Sequence, residues 1–172
     1  FGVGENLITS KSSPVFGGVY KLAAIVEDGK YIPKIKVSES IEKITNPDFK
    51  TFYRFYNKDT NEAVADYVTL FDEEPDTSKP VTIYDPVATW KRKSLDNVYA
   101  KRMLVPIFEK GTCVYQSPSL GDIKKYCAEQ VDRLWDEVKR FEHPHRYYVD
   151  LSDKLWNIKR RLLAEIGGGR AE

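Results

Sequence analysis

The chain is short of sulfur, with two cysteines and one methionine in 172 residues. Cys113 and Cys127 stand 14 positions apart and form no CxxC pair, so a thiol-redox motif is excluded. Their sparsity fits a reducing cytosol in which both thiols stay free, a single disulfide between them being the alternative. Disulfide or metal staples are not needed, because a chain of this length can bury roughly two-thirds of its unfolded surface. Long hydrophobic runs are also missing. The longest, such as residues 22–26, are about five residues, against roughly 20 for a membrane-spanning helix. Charge of one sign is not in excess either: 27 basic against 26 acidic side chains leave +1. There is accordingly no chain-wide field to attract nucleic acid or an anionic membrane. An initiator methionine is absent, since the chain opens at Phe1 and its only methionine is Met103. A processed, proteolysed or truncated polypeptide is expected, without a retained signal peptide.

What is present is patterned. Residues 19–26 are β-branched and aromatic, Glu27-Asp28-Gly29-Lys30 is a turn, and residues 31–37 alternate, which predicts a hairpin around Asp-Gly. Residues 51–56 and 63–71, flanking residues 57–61, predict a second hairpin. Residues 72–80, with two prolines and four acidic side chains, read as a solvated loop and the best candidate for an internal boundary. Short strands are expected at residues 81–84 and 103–108, with a turn at Lys110-Gly111 before residues 113–115.

The last third is helical in pattern. Ser119 stands as an N-cap with Asp122 in the capping-box position, and Leu120, Ile123, Cys127, Val131, Leu134, Val138 and Phe141 follow at steps of three or four. That spacing predicts one helix with a buried face, ended by Pro144. Ser152 then caps a second helix carrying Leu155, Ile158, Leu162 and Ile166, stopped by Gly167-Gly168-Gly169. The class expected is α+β: two β-hairpins, a mixed region and two C-terminal amphipathic helices.

Few segments carry chemistry. Gly2-Val3-Gly4-Glu5-Asn6 allows a tight turn into a helix start, where free N–H groups could cradle a phosphate. A plain turn satisfies the same residues. Leu7 occupies the place of a third fingerprint glycine, no Walker lysine follows, and Glu5 would repel a phosphate it faced. Lys36, Lys43 and Lys50, with Lys21, Lys30 and Lys34 near them, could gather polyphosphate charge or form a solvated face. Trp90-Lys91-Arg92-Lys93 falls short of a nucleic-acid footprint and reads as surface. His143 and His145 find no third metal ligand in the sequence and no nucleophile motif; they fit a helix-stop loop, and no metal site is expected. Trp135 and Trp156 lie beside apolar stripes as core or interface anchors.

Taken in order, residues 1–10 with Gly17-Gly18-Val19-Tyr20-Lys21-Leu22 resemble the phosphate-loop region of bacterial nicotinate phosphoribosyltransferases. Residues 34–39 and 42–47, Tyr53-Arg54, Ala65-Asp66, residues 106–108, 114–115 and 117–120, Pro144-His145 and residues 148–152 resemble the later segments of that family in the same order. The resemblance implies a cytoplasmic enzyme of NAD biosynthesis that joins nicotinate to 5-phosphoribosyl 1-pyrophosphate, with ATP hydrolysis coupled and Mg²⁺ required. The implied fold is the terminal fragment of an irregular α/β barrel and its companion domain, in an enzyme that is commonly a dimer. Residues 1–72 would be the end of the barrel with the phosphate loop and hairpins, and residues 73–172 the C-terminal domain. Gly2, Val3 and Gly4 would hold the ribose 5-phosphate through backbone N–H groups, with Glu5 and Asn6 beside it. Glu5 departs from the threonine many members carry there. The catalytic histidine and substrate-binding arginines belong to an upstream region, so the chain carries no catalytic residue of its own and is expected to be inactive alone, with an apolar surface where the remainder sits. A non-catalytic interaction module derived from the family is the alternative.

Overall fold

The structure, a computed structural model, describes residues 4, 9–10, 18–88 and 90–168. Its centre is the second of the two expected hairpins, where apolar residues fall at every other position. Strand β3 (Lys50–Asn57) pairs antiparallel with β4 (Ala63–Leu70), Phe52 opposite Val68 and Arg54 opposite Asp66, with a bulge between Phe55 and Tyr56. The Asn57 carboxamide accepts from the amides of Asp59 and Thr60, which closes the connection.

Around this pair a six-stranded sheet is built from β5 (Val81–Tyr84), β6 (Arg92–Leu95), β7 (Val98–Arg102) and β10 (Val149–Leu151). The order is β6-β5-β10-β4-β3-β7, with β10 parallel to β4 and every other pairing antiparallel. Phe55, Ala65, Tyr67, Val81, Ile83, Leu95 and Val98 form the core on it. Residues 72–80 link β4 to β5 within this sheet, so its strands come from both sides of that acidic segment.

Helix α3 (Asp153–Gly168) follows β10 directly and packs back over β4 and β5, burying Leu155. The Ser152 hydroxyl accepts from the Leu155 amide at 3.2 Å and donates to the Glu73 carboxylate at 2.7 Å, so the expected cap is present and fully buried.

The first hairpin is shorter than the run that predicts it. Strands β1 (Ala24–Glu27) and β2 (Lys30–Pro33) pair around Asp28 and Gly29, both at positive φ, the left-handed pair that a two-residue hairpin requires. Lys110 and Gly111 repeat that geometry between β8 (Phe108–Glu109) and β9 (Thr112–Cys113).

Three expectations need correction. Residues 103–107 are not a strand: the ladder ends where the Met103 amide donates to the Phe52 carbonyl, and Pro106 has no N–H to extend it. The strand lies one segment earlier, at β7. The long helix is broken, with α1 (Leu120–Asp132) and α2 (Asp136–Lys139) separated because the Arg133 carbonyl accepts from the Ala63 amide and Leu134 bridges Ala63 in β4. The apolar face of α1 is not buried either: Leu120 is 82% exposed, and Ile123, Cys127 and Val131 are open. Only its C-terminal end touches the sheet, through Gln130 bonded to the Tyr56 hydroxyl and Arg133 over the Tyr56 ring. Every residue from Leu104 to Glu129 is exposed, so β8, β9 and most of α1 form an arm carried outside the sheet. Strands β6, β7 and β10 had no sequence signature, being short and rich in lysine and arginine or lacking a turn beside them.

Candidate functional site

Of the lysines expected to gather polyphosphate charge, Lys36 and Lys43 sit on the segment between β2 and β3, and Lys50 opens β3. The Ala23 carbonyl accepts from the amides of Lys34 and Asp48, and the Lys36 carbonyl accepts from Thr45, which folds residues 34–48 into a loop closed by a 3₁₀ turn at Ile41–Lys43. Lys36 lines an open recess of about 590 Å³ together with Lys21, Lys34, Tyr20 and Ile166 near the C-terminal end of α3. Lys43 enters this arrangement through its carbonyl, which accepts from the Lys21 ammonium at 2.9 Å. Lys50 is turned inward, its ammonium donating to the carbonyls of Pro47 and Asp48, and burial, opposed by Asp48, lowers its pKa. Of the expected phosphate loop, Gly2, Val3, Glu5 and Asn6 lie outside the described residues. Gly4 is exposed, with open space where a side chain would stand.

A second ionic centre went unrecognised in the sequence. Arg54 clamps Asp66 with two bonds of 2.7 and 3.0 Å, and the Tyr147 hydroxyl donates to the same carboxylate at 3.1 Å. Tyr147 is held by a stacked Trp135, and its pKa is raised by burial and by Asp66. The cross-strand register places Arg54 opposite Asp66, but Tyr147 arrives from 81 residues away. A buried bidentate pair of this kind fixes β3, β4 and the segment before β10 relative to one another. It braces the sheet at this point.

Lys159 on α3 is a third buried group. Its ammonium donates to the Asn46 side chain at 2.7 Å and to the Pro86 carbonyl at 2.8 Å, and burial, opposed by Asp85, lowers its pKa. It ties the lysine-bearing loop to the sheet and to α3, so the recess is positioned by the fold beneath it.

Asp85, Asp150, Lys91, Lys93 and Tyr148 line two adjoining recesses near the β5–β6 turn. The Asp85 carboxylate accepts from the amides of Val87 and Ala88. Burial works to raise its pKa, yet those amides, with Arg146 and Lys91, hold it below the usual range. Asp150 goes the other way, pushed up to about 6 by burial and by Asp85 against the pull of Arg146 and Lys93. His143 and His145 are exposed in the loop after α2, where the His145 amide donates to the Glu137 carbonyl. Among the described residues no group of three His, Cys, Asp or Glu side chains is placed to hold a metal ion, and no helix is long and apolar enough to cross a membrane.

A mixed sheet with one covering helix, an outlying arm and a lysine recess defines an α+β domain. The family model for the nicotinate phosphoribosyltransferase C-terminal domain matches residues 49–159, and the chain belongs to that family. It is 41% identical to the nicotinate phosphoribosyltransferase of Bacillus subtilis over 96% of its own length and 34% of that protein's. It is 31% identical to that of Dictyostelium discoideum, over 94% of this chain and 28% of the relative. The crystal structure of human nicotinic acid phosphoribosyltransferase shares the fold with a TM-score of 0.61 at 21% identity, covering 69% of this chain and 23% of the human one. The chain thus spans about a third or less of the length of these relatives.

Proposed function

We propose that this chain is the C-terminal part of an enzyme that forms nicotinate mononucleotide and pyrophosphate from nicotinate and 5-phosphoribosyl 1-pyrophosphate, with coupled ATP hydrolysis, in the synthesis of NAD. The observation that carries this is the 41% identity to the Bacillus subtilis enzyme along 96% of the chain. Within it, the loop Gly2 to Asn6 holds the ribose 5-phosphate by backbone N–H groups, and Lys36, with Lys21 and Lys34 in the same recess, supplies positive charge to the polyphosphate. Lys43 and Lys50 shape that loop through the bonds they make at Lys21, Pro47 and Asp48. Mg²⁺ and ATP are the cofactors of the whole enzyme in this reading.

The start of the family match at residue 49, beside the first strand of the six-stranded sheet, supports a C-terminal domain that begins there rather than at residue 73, with the loop and first hairpin in the catalytic portion. The arm from Leu104 to Glu129 packs on that remainder, in an enzyme that forms a homodimer. Producing the chain alone, and together with the upstream two-thirds of the Bacillus subtilis relative, tests the reading. No nicotinate mononucleotide is expected from the chain alone, and turnover is expected on reassembly. Turnover by the isolated chain, or a stable monomer indifferent to the upstream portion, would overturn it, the latter in favour of an independent interaction module.

A further inference from the structure

Asp150 lies on β10 between β4 and β5 and is 6% exposed, yet its carboxylate makes no hydrogen bond or ion pair with the described residues. A buried carboxylate without a partner is costly, having given up water for nothing in return. Burial and Asp85 push its pKa up to about 6, against the pull of Arg146 and Lys93, so at neutral pH it is still charged. It faces open space, lining both recesses near the β5–β6 turn, of about 400 and 490 Å³. Each falls in the range of small-molecule sites, roughly 300–1,000 Å³. We propose that this groove binds an acidic α-amino acid, a ligand with one ammonium and two carboxylates.

The cations of the groove are unspent as well. Lys91 and Lys93 line both recesses and Arg146 the larger, and none of the three closes an ion pair; the ion pairs among the described residues lie elsewhere. The Lys93 ammonium rests over the Tyr148 ring at 4.1 Å, and the side chains of Lys91 and Arg146 make no hydrogen bond to the described residues. In both Asp85 and Asp150 burial raises the pKa and Arg146 opposes it, so charges of both signs border one space that they do not close on each other. Asp85 differs from Asp150 in being satisfied, since its carboxylate accepts from the Val87 and Ala88 amides and stays ionised. One carboxylate is therefore free to receive an ammonium, and three cations are free to receive carboxylates.

Charge balance narrows the class. With Asp85 and Asp150 ionised and His145 neutral, Lys91, Lys93 and Arg146 leave the groove one net positive charge. A basic ligand adds to that charge, and a neutral amino acid leaves it unmatched. A dicarboxylate without an amine matches it but leaves Asp150 unpaired. An amino acid with a second carboxylate meets both conditions, its ammonium on Asp150 and its carboxylates among the three cations. The groove shares no residue with the lysine recess, so occupancy here is separate from the catalytic reading and is measured without turnover.

The test is calorimetric titration of the full chain at neutral pH with L-glutamate and L-aspartate, beside glutarate and succinate, which lack the amine, and L-lysine. Saturable binding with a Kd below about 1 mM is expected for at least one of the two amino acids. The matching amine-free diacid and L-lysine are expected to be at least about tenfold weaker. Asp150→Asn, which keeps the side chain's shape and removes its charge, is expected to weaken the amino acid at least about tenfold and to leave the diacid no weaker. Arg146→Ala, at an exposed position, is expected to weaken both ligands with unchanged circular dichroism. Absence of saturable binding by both amino acids overturns the proposal. So does a diacid or L-lysine that binds as tightly as the amino acid, or an Asp150→Asn protein that binds the amino acid as well as the parent.

Discussion

Arg54 and Asp66 are neighbours by register, but the strength of their pairing comes from enclosure, since both side chains are largely shielded and Tyr147 adds a third bond. Removing one partner leaves the other charge buried and unpaired. Asp66→Ala is therefore expected to cost about 3 kcal/mol in chemical denaturation. An Arg54→Met, Asp66→Leu double variant is expected to recover a large part of that loss. Asp150 predicts a pH dependence of definite sign. Its folded pKa of about 6 lies above the ordinary 3.8, so between those values the folded protein holds a proton that the unfolded chain has released. Stability from this group is full below pH 3.8, falls as the pH rises to about 6, and stays level above. Asp150→Asn should remove that slope and raise the melting temperature at pH 7.5; a slope unchanged in the variant would show that another group causes it.

Among the elements, α3 and α1 are opposites built from the same rule. Both begin at a serine cap and carry apolar residues at helical spacing. The Ser152 cap is buried and doubly bonded, so Ser152→Ala is expected to cost about 1–2 kcal/mol in thermal or urea melts, through a frayed helix start and a Glu73 carboxylate left with the Leu70 amide alone. The Ser119 cap is exposed, and so are Leu120, Ile123, Cys127 and Val131 of the stripe it introduces. Leu120→Lys with Ile123→Lys is therefore expected to change the stability of this chain by less than about 0.5 kcal/mol. The same pair should sharply lower the binding of a hydrophobic dye to the native protein, and in the reassembled enzyme it should weaken association with the upstream portion. Amphipathic spacing declares that a helix has a partner; it does not say whether the partner lies in the same stretch of chain.

For the molecule as a whole, the distribution of burial is uneven. The centre of the sheet and the face of α3 carrying Leu155 and Lys159 are buried, while the arm from Leu104 to Glu129 and the recess around Lys36 are open. The relatives are about three times as long, and the family match extends through the arm. If the arm is an interface, the isolated chain should self-associate at raised concentration in sedimentation experiments, and association with the upstream portion should replace that self-association. A chain that stays monomeric and binds no hydrophobic dye would remove the arm from the proposed assembly.

The sequence by itself determined the features that depend on near neighbours: the Asp28-Gly29 and Lys110-Gly111 turns, the β3–β4 hairpin, and the caps at Ser119 and Ser152. It also carried the family, because an ordered series of short segments is preserved where single motifs are weak. Tertiary structure alone decided the rest. Strand β10 is three residues long and forms only because β4 and β5 offer it edges, Tyr147 reaches Asp66 across 81 residues, and Asp85 meets Asp150 and Arg146 in one groove only once β5 and β10 pair. Backbone turns and caps are settled by bonds within a few residues, whereas pairing, burial and shared electrostatics depend on which distant segment supplies the opposing surface.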